Sequence, residues 1–204
     1  MANRRSVLFI SIIAVAAAFG GAMLARHVGR GPVALQNGTL LPKGRAIAAF
    51  SLTDHEGQPF GNERLLGHPS LLFFGFTNCP DVCPTTLALL AQLARLKPIA
   101  DLQLLFVTVD PGRDDTLTLK RYVDAFSTQL TGLRGADAEL DNLMQSVGAA
   151  RFLQPTPDGN YQVDHSATLY LIDANGRLVA IFTPPFSVTQ LDSDLRLAAR
   201  TMDQ

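Results

Sequence analysis

Two cysteines, Cys79 and Cys83, are the residues best suited to chemistry, and they are the only cysteines in the 204-residue chain. Their thiolates would form a soft ligand pair, which suits Cu(I) and, with further ligands, Zn(II). The same pair could instead cycle between a dithiol and a disulfide. A purely structural disulfide across so short a loop would add little stability to a domain of this size. The spacing therefore favours metal binding or redox chemistry.

The cysteines lie where a predicted strand ends and a predicted helix begins. Residues 71–76 and 103–109 are short apolar runs of the kind found in buried strands. Residues 85–96, between these runs, have the apolar periodicity of an amphipathic helix. This strand–helix–strand order implies parallel strands with a right-handed crossover. Because ligand sites in such sheets lie at the carboxyl ends of the strands, we expect a site around residues 78–84.

Pro84 fits the first position of the predicted helix, and it disfavours helical geometry at the residue before it. Cys83 is therefore predicted to cap the helix, with Cys79 in the preceding loop. Both sulfurs would then lie at the helix N-terminus, where backbone N–H groups and the helix dipole favour thiolates.

The rest of the pattern predicts an α/β domain, with a mixed central sheet and helices on both faces. Asn175-Gly176, between two apolar runs, is a strong signal for a hairpin turn. The further predicted elements are a hairpin over residues 50–60, amphipathic helices over residues 115–126 and 137–147, a hairpin over residues 167–182, and a final amphipathic helix over residues 188–202.

One of the four histidines is a candidate third ligand. His165 directly precedes the predicted strand at residues 167–172, and it could reach the cysteines if that strand neighbours the strand before them. A satisfied structural histidine is the alternative that the chemistry leaves open. His27 is interpreted as an interfacial residue, and His55 and His68 as solvated residues of a turn and a loop.

Three acidic residues are candidates for supporting roles. Asp164 could orient the ring of His165 or cap the start of a strand. Asp110 follows the second apolar run, so it could support the site through a hydrogen bond. Asp114 is predicted to cap the helix at residues 115–126.

The N-terminal segment differs in kind from the rest of the chain. An uncharged apolar run over residues 6–25 follows two arginines, and it is long enough to span a bilayer as an anchor. The positive flank predicts that residues 1–5 stay in the cytoplasm while the following domain is exported. A cleaved signal peptide is the alternative. Residues 26–46 are interpreted as a linker, and residues 47–204 as one compact domain.

The charge balance excludes one class of function. The chain carries 17 Lys and Arg against 18 Asp and Glu, and four of the arginines precede residue 35. The predicted exported part is therefore mildly acidic and has no basic run. Nothing in it is suited to neutralising a nucleic-acid backbone.

Three segments together resemble the SCO/SenC family: residues 74–87, which contain both cysteines, residues 109–114 and residues 163–166. The resemblance extends from about residue 50 to the last helix. It implies a thioredoxin-like fold with an N-terminal membrane anchor, and copper held by two cysteines and one histidine.

The copper ligands of that family correspond to Cys79, Cys83 and His165. The resemblance implies a chaperone that takes copper from a donor protein. It would then deliver copper to, or prepare, the binuclear copper centre of cytochrome c oxidase subunit II. Without a long Arg- and Ser-rich transit segment, we expect a bacterial inner-membrane protein with its domain in the periplasm. Asp115-Thr116 departs from the family's usual Thr-Pro, at a helix start and not at a ligand.

Two other functions share parts of this pattern. A thiol-disulfide oxidoreductase of the thioredoxin kind would have two residues between its cysteines and a proline before the facing strand. Here three residues separate the cysteines, and Asp164-His165-Ser166 stands in place of that proline. A peroxidase would need one nucleophilic cysteine with an arginine beside it, for which Arg113 is the candidate. The pattern favours copper over both.

Overall fold

The computed structural model of the protein describes residues 19–21 and 34–202. The chain divides into two units, Met1–Val33 and Ala34–Gln204, and the fold given below is that of the second. Residues 19–21 are helical, and the rest of the span predicted over residues 6–25 lies outside the described residues. None of the helices within those described ranges is both long enough and apolar enough to cross a membrane.

The described part of the second unit contains ten strands, four α-helices and one short 3-10 helix at Asn62–Leu65. The strands are β1 (Gly38–Ala46), β2 (Ser51–Asp54), β3 (Pro59–Gly61), β4 (Ser70–Gly75), β5 (Gln103–Thr108), β6 (Leu130–Arg134), β7 (Arg151–Pro155), β8 (Tyr161–His165), β9 (Leu169–Ile172) and β10 (Arg177–Phe182). The helices are α1 (Val82–Leu96), α2 (Thr116–Phe126), α3 (Asp137–Val147) and α4 (Val188–Met202).

Eight of these strands form one mixed sheet in the order β1-β10-β9-β4-β5-β6-β2-β3. The three central strands β4, β5 and β6 are parallel, and their outer neighbours pair antiparallel. The predicted strand–helix–strand unit is thus confirmed as β4–α1–β5, and the sheet is mixed as predicted. Strands β7 and β8 form a separate antiparallel hairpin.

One row of paired residues crosses the centre of the sheet. It runs through six strands, from Gly38 to Phe182, Leu169, Phe73, Phe106 and Gly132. The four apolar members of this row are fully buried. Their burial fixes the register of the strands, because a slip by one residue would turn every side chain to the opposite face.

The edge strand β1 corrects the prediction of a linker over residues 26–46. Gly38–Ala46 pair antiparallel with β10, and the register shifts between Leu40 and Arg45. The shift accommodates Pro42, which has no N–H to donate, and Gly44, whose φ is +56°. Proline and glycine in a strand are tolerated at edges and bulges, so these residues mark an irregular edge strand here and not a tether.

Besides β1, three strands had no counterpart in the sequence prediction, namely β6, β7 and β8. Strand β8 contains polar and apolar residues without a long buried run, since of its residues only Val163 is buried. This strand ends at His165, so the hairpin that the sequence did not indicate is the element that positions the candidate third ligand.

Candidate metal centre

The cysteine loop joins the end of β4 to the start of α1. Cys83 does not cap the helix as predicted, because the capping position is held by Asp81 and Cys83 lies in the first helical turn. Pro84 also fits inside this turn, where a missing N–H leaves no hydrogen bond unmade. The Cys83 side chain is fully buried, whereas Cys79 in the loop keeps 9% of its surface exposed.

Gly75, the last residue of β4, allows the Cys83 sulfur to pack against the sheet. A Cβ atom at this position would lie 2.7 Å from Cys83 Sγ and 2.7 Å from Phe106 Cε2. Real Cβ atoms do not approach other heavy atoms so closely. A glycine is therefore required where the buried thiol rests on the backbone of the strand.

Asp114 ties the cysteine loop to the neighbouring strand, and it does not cap a helix as predicted. Its carboxylate accepts hydrogen bonds from Thr77 N at 3.0 Å, Thr77 Oγ1 at 2.5 Å and Thr108 Oγ1 at 2.5 Å. The side chain is fully buried. The capping role belongs to Asp115, whose carboxylate accepts from Thr118 N at 2.7 Å. Asp114 thus fixes the backbone two residues before Cys79.

His165 reaches the cysteines because β9 pairs with β4, as the sequence argument required. The pairing of Leu169 with Phe73 brings the chain before β9 to the carboxyl end of β4. His165 Nε2 lies 3.4 Å from Cys83 Sγ. On the other side of the ring, Nδ1 lies 3.1 Å from the carbonyl oxygen of Ser166. Because a carbonyl only accepts, Nδ1 carries the proton, and the lone pair of Nε2 is directed at the sulfur.

Aromatic side chains enclose the imidazole. The ring of Phe76 lies edge-on to the ring of His165 at a centroid distance of 5.8 Å, and that of Phe73 at 6.2 Å. Burial lowers the pKa of His165, against the opposing effects of the Ser166 carbonyl and the charge of Asp164. The imidazole is therefore neutral at pH 7, which is the form that binds a metal.

Burial also decides the state of Cys83. Desolvation, followed by the interaction of the thiol with the Cys79 side chain, raises the pKa of the Cys83 thiol. The helix N-terminus was predicted to favour thiolates, but removal of the sulfur from water outweighs that effect at this position. Without a bound metal Cys83 is a neutral thiol, and its S–H donates to Nε2 of His165.

The ligand atoms of Cys79, Cys83 and His165 all lie within 4.8 Å of one another. Within residues 19–21 and 34–202 this is the one group of three His, Cys, Asp or Glu side chains with such spacing. The structure thus brings together the three residues proposed from the sequence, and a single ion could contact two sulfurs and one nitrogen.

The other two predicted supporting residues, Asp164 and Asp110, make their hydrogen bonds to residues other than the candidate ligands. The exposed Asp164 carboxylate accepts a hydrogen bond from Gln154, and the Ser166 carbonyl holds the His165 ring in its place. The Asp110 carboxylate contacts Arg113 and Tyr161, not the candidate ligands.

Two histidines of the described residues lie apart from the centre. His55 is not solvated as predicted, because its Nδ1 accepts a hydrogen bond from Gly132 N at 2.9 Å. His68 is exposed in its loop, as the sequence indicated, and His27 lies outside the described residues.

Comparison with known proteins agrees with this geometry. The SCO1/SenC family model matches residues 39–200 of the chain. A protein of Stutzerimonas stutzeri, named as a proposed copper-binding protein, is 36% identical over 170 residues that cover 82% of each chain. The SCO2-like protein of Rickettsia conorii is 38% identical over 137 residues, or 65% of this chain and 67% of that protein.

A solved structure extends the similarity to the fold. ScoI of Bradyrhizobium japonicum, with copper bound, is 37% identical and superposes with a TM-score of 0.67. The match covers 74% of this chain and 98% of that one. The predicted family resemblance and its α/β thioredoxin-like fold are thereby confirmed.

Replacing Asp114 with Asn tests whether this carboxylate fixes the cysteine loop. The amide has no charge and one acceptor oxygen where the carboxylate has two, so the three hydrogen bonds to this side chain would weaken, and we expect a loss of about 1–3 kcal/mol in the free energy of unfolding in urea. The matched control is Asp115→Asn, because asparagine caps a helix as well as aspartate does. Equal stability of the two variants would contradict the role assigned to Asp114.

Proposed function

Because the chain belongs to the SCO1/SenC family, we propose that it is a copper chaperone whose ligands are Cys79, Cys83 and His165. It would deliver copper to, or prepare, the binuclear copper centre of cytochrome c oxidase subunit II. The observation that carries this proposal is the convergence of two thiol sulfurs and one imidazole nitrogen within 4.8 Å.

The donor set favours copper over other metals. Two thiolates and one imidazole are soft or intermediate ligands, as Cu(I) prefers, and Cu(II) also binds imidazole well. A structural zinc site would need a fourth protein ligand, and the chain has only two cysteines. Within the described residues the convergent group contains no carboxylate. The chemistry of the donors thus agrees with the copper-bound structure of the related ScoI.

The different burial of the two cysteines supports a route for copper transfer. Cys83 is fully enclosed, while Cys79 keeps part of its surface exposed. A ligand of the acceptor would therefore approach from the Cys79 side and replace one donor at a time. Oxidation of both thiols to a disulfide would release two protons and give two electrons to an oxidant. That disulfide would no longer bind copper, so the redox state would act as a switch.

A thiol-disulfide oxidoreductase remains the second candidate, because the Cys79 and Cys83 sulfurs lie within 4.8 Å of each other. In that function one thiolate would attack a disulfide of subunit II, and the second would resolve the mixed disulfide. The acceptor would leave with two thiols and the chaperone with one disulfide. Stoichiometric copper binding that needs His165 favours the chaperone, because disulfide exchange needs only the two sulfurs.

Location follows from the sequence outside the described residues. We propose that residues 6–25 anchor the protein in a bacterial inner membrane, with the copper-binding domain in the periplasm. A copper donor protein in the same compartment would load the site. Protease added to intact spheroplasts would degrade the domain in this topology and spare it in the opposite one.

Copper titration of the reduced full-length protein in detergent tests the ligand set. We expect one equivalent of Cu(I), and at least a hundredfold lower affinity after Cys79→Ser, Cys83→Ser or His165→Ala, because each change removes one of three donors. His68→Ala is the matched control, since that histidine is exposed and precedes the start of β4, whereas the thiols follow its end. Wild-type affinity in the Cys83→Ser variant would exclude this site.

The affinity for Cu(I) should rise with pH. Burial raises the pKa of Cys83, so this thiol is protonated at neutral pH and copper must displace its proton. The neutral His165 has no proton to lose at Nε2. Between about pH 6 and pH 8 we expect the affinity for Cu(I) to rise up to tenfold per pH unit for each proton that copper displaces. Competition with a colorimetric Cu(I) chelator measures this slope. A flat profile would mean that the Cys83 thiol is already ionised.

A further inference from the structure

A pocket of about 440 Å³ opens beside the candidate metal centre. One wall is formed by Asn78 and Pro80, which flank Cys79 in the chain. Another is formed by Val163 and Asp164, which directly precede His165. A group seated in this pocket would therefore contact the neighbours of Cys79 and of His165 in the chain, and Cys79 itself keeps 9% of its surface exposed.

Arg113 lines the same pocket, and its guanidinium is held in one position. Its Nε donates to the carboxylate of Asp110, a side chain that is only 3% exposed. Its Nη1 donates to the carbonyl oxygen of Tyr161 at 3.2 Å. The guanidinium lies 4.0 Å from the centroid of the Tyr161 ring, and the hydroxyl of that tyrosine donates to Asp110 at 2.7 Å. The arginine is thus oriented by two neighbours.

These contacts leave part of the guanidinium available. Arginine has five N–H donors in a rigid fork, and the bonds to Asp110 and Tyr161 occupy only those on Nε and Nη1. Within residues 34–202 no acceptor contacts Nη2. The side chain keeps 26% of its surface exposed. A fixed fork with free donors at the edge of a pocket is suited to a planar anion, above all a carboxylate.

We propose that Arg113 binds a carboxylate of the copper acceptor and thereby docks the acceptor's metal ligands against Cys79. This inference rests on the proposed function, since it names the chemistry by which the acceptor is recognised. The Asp164 carboxylate on the facing wall accepts from Gln154 and is itself exposed. The acceptor group must therefore be anionic on the Arg113 side and neutral or cationic on the Asp164 side.

The test uses the reduced, copper-free full-length protein and the apo copper-binding domain of cytochrome c oxidase subunit II. Their dissociation constant is measured at several salt concentrations, and copper transfer is followed separately after loading. We expect Arg113→Gln to weaken association about tenfold and to flatten its salt dependence, because one charge-assisted pair is lost. The affinity of Arg113→Lys should fall between those of the wild type and Arg113→Gln, since lysine keeps the charge but lacks the planar fork of donors.

Three comparisons keep the result interpretable. Arg121→Gln removes the same charge from an exposed position on α2, and association should stay at the wild-type value. The double variant Asp110→Asn with Arg113→Gln avoids an unpaired buried carboxylate, and it should bind as weakly as Arg113→Gln alone. Acidic residues of the acceptor are replaced one at a time by the corresponding amide. One of these replacements should weaken association with the wild-type protein but cause no further loss of affinity with Arg113→Gln.

Wild-type association in the double variant would overturn the role of Arg113 and leave copper binding untouched. Equal losses in Arg121→Gln and Arg113→Gln would also overturn it, because they would show a general effect of charge. Failure of the wild-type protein to bind copper would reject the proposed function. The association constants, measured without copper, would still decide the inference about Arg113.

Discussion

The candidate metal centre depends on the pairing between β4 and β9. These strands run antiparallel, and Phe73 pairs with Leu169. Strand β9 therefore begins at the same end of the sheet at which β4 ends. This geometry places His165, which is distant from the cysteines in sequence, 3.4 Å from Cys83 Sγ. The pairing is secured by burial, because both residues of the Phe73–Leu169 pair are fully enclosed.

Burial then sets the chemistry of the site. A helix N-terminus favours a thiolate by a modest amount near the surface, whereas full removal of a charge from water costs much more. Cys83 rests on Gly75 with no room for a side chain between them, so it feels the second effect. The protein thus holds a neutral thiol and a neutral imidazole joined by a hydrogen bond. A metal ion that replaces the thiol proton would bind both the Cys83 sulfur and Nε2 of His165.

The sequence predicted the elements with strong periodicity and missed those without it. The apolar runs of β4 and β5 were found because burial on both faces leaves a continuous apolar run, and the helix between them was found because its one buried face leaves a helical periodicity. The polar hairpin that ends at His165 has no such pattern. In β1, Pro42 and Gly44 indicated a loop, because a local signal cannot show that β10 offers an edge to pair with.

The same limit explains the errors at single residues. Asp114 and Asp115 are adjacent carboxylates before one helix, and either could cap it by the sequence rules. Only the tertiary position of Thr77 and Thr108 makes Asp114 the buried one. His165 was predicted to reach the cysteines only if its strand neighboured the strand before them, and the pairing of β9 with β4 meets that condition. The contact of His55 with Gly132 joins a hairpin to a strand that the sequence had not indicated.

The row of paired residues across the sheet places the start of β1 relative to the candidate metal centre. Gly38 pairs with Phe182, Phe182 with Leu169, and Leu169 with Phe73. The first residue of β1 is thus three strands from the end of β4, or about 14 Å at the usual spacing between strands. The buried carboxylate of Asp194 accepts the N–H groups of Gln36 and Asn37, which fixes the start of β1. The start of β1 therefore lies at the same end of the strands as Cys79 and His165, and the two hydrogen bonds to Asp194 hold it there.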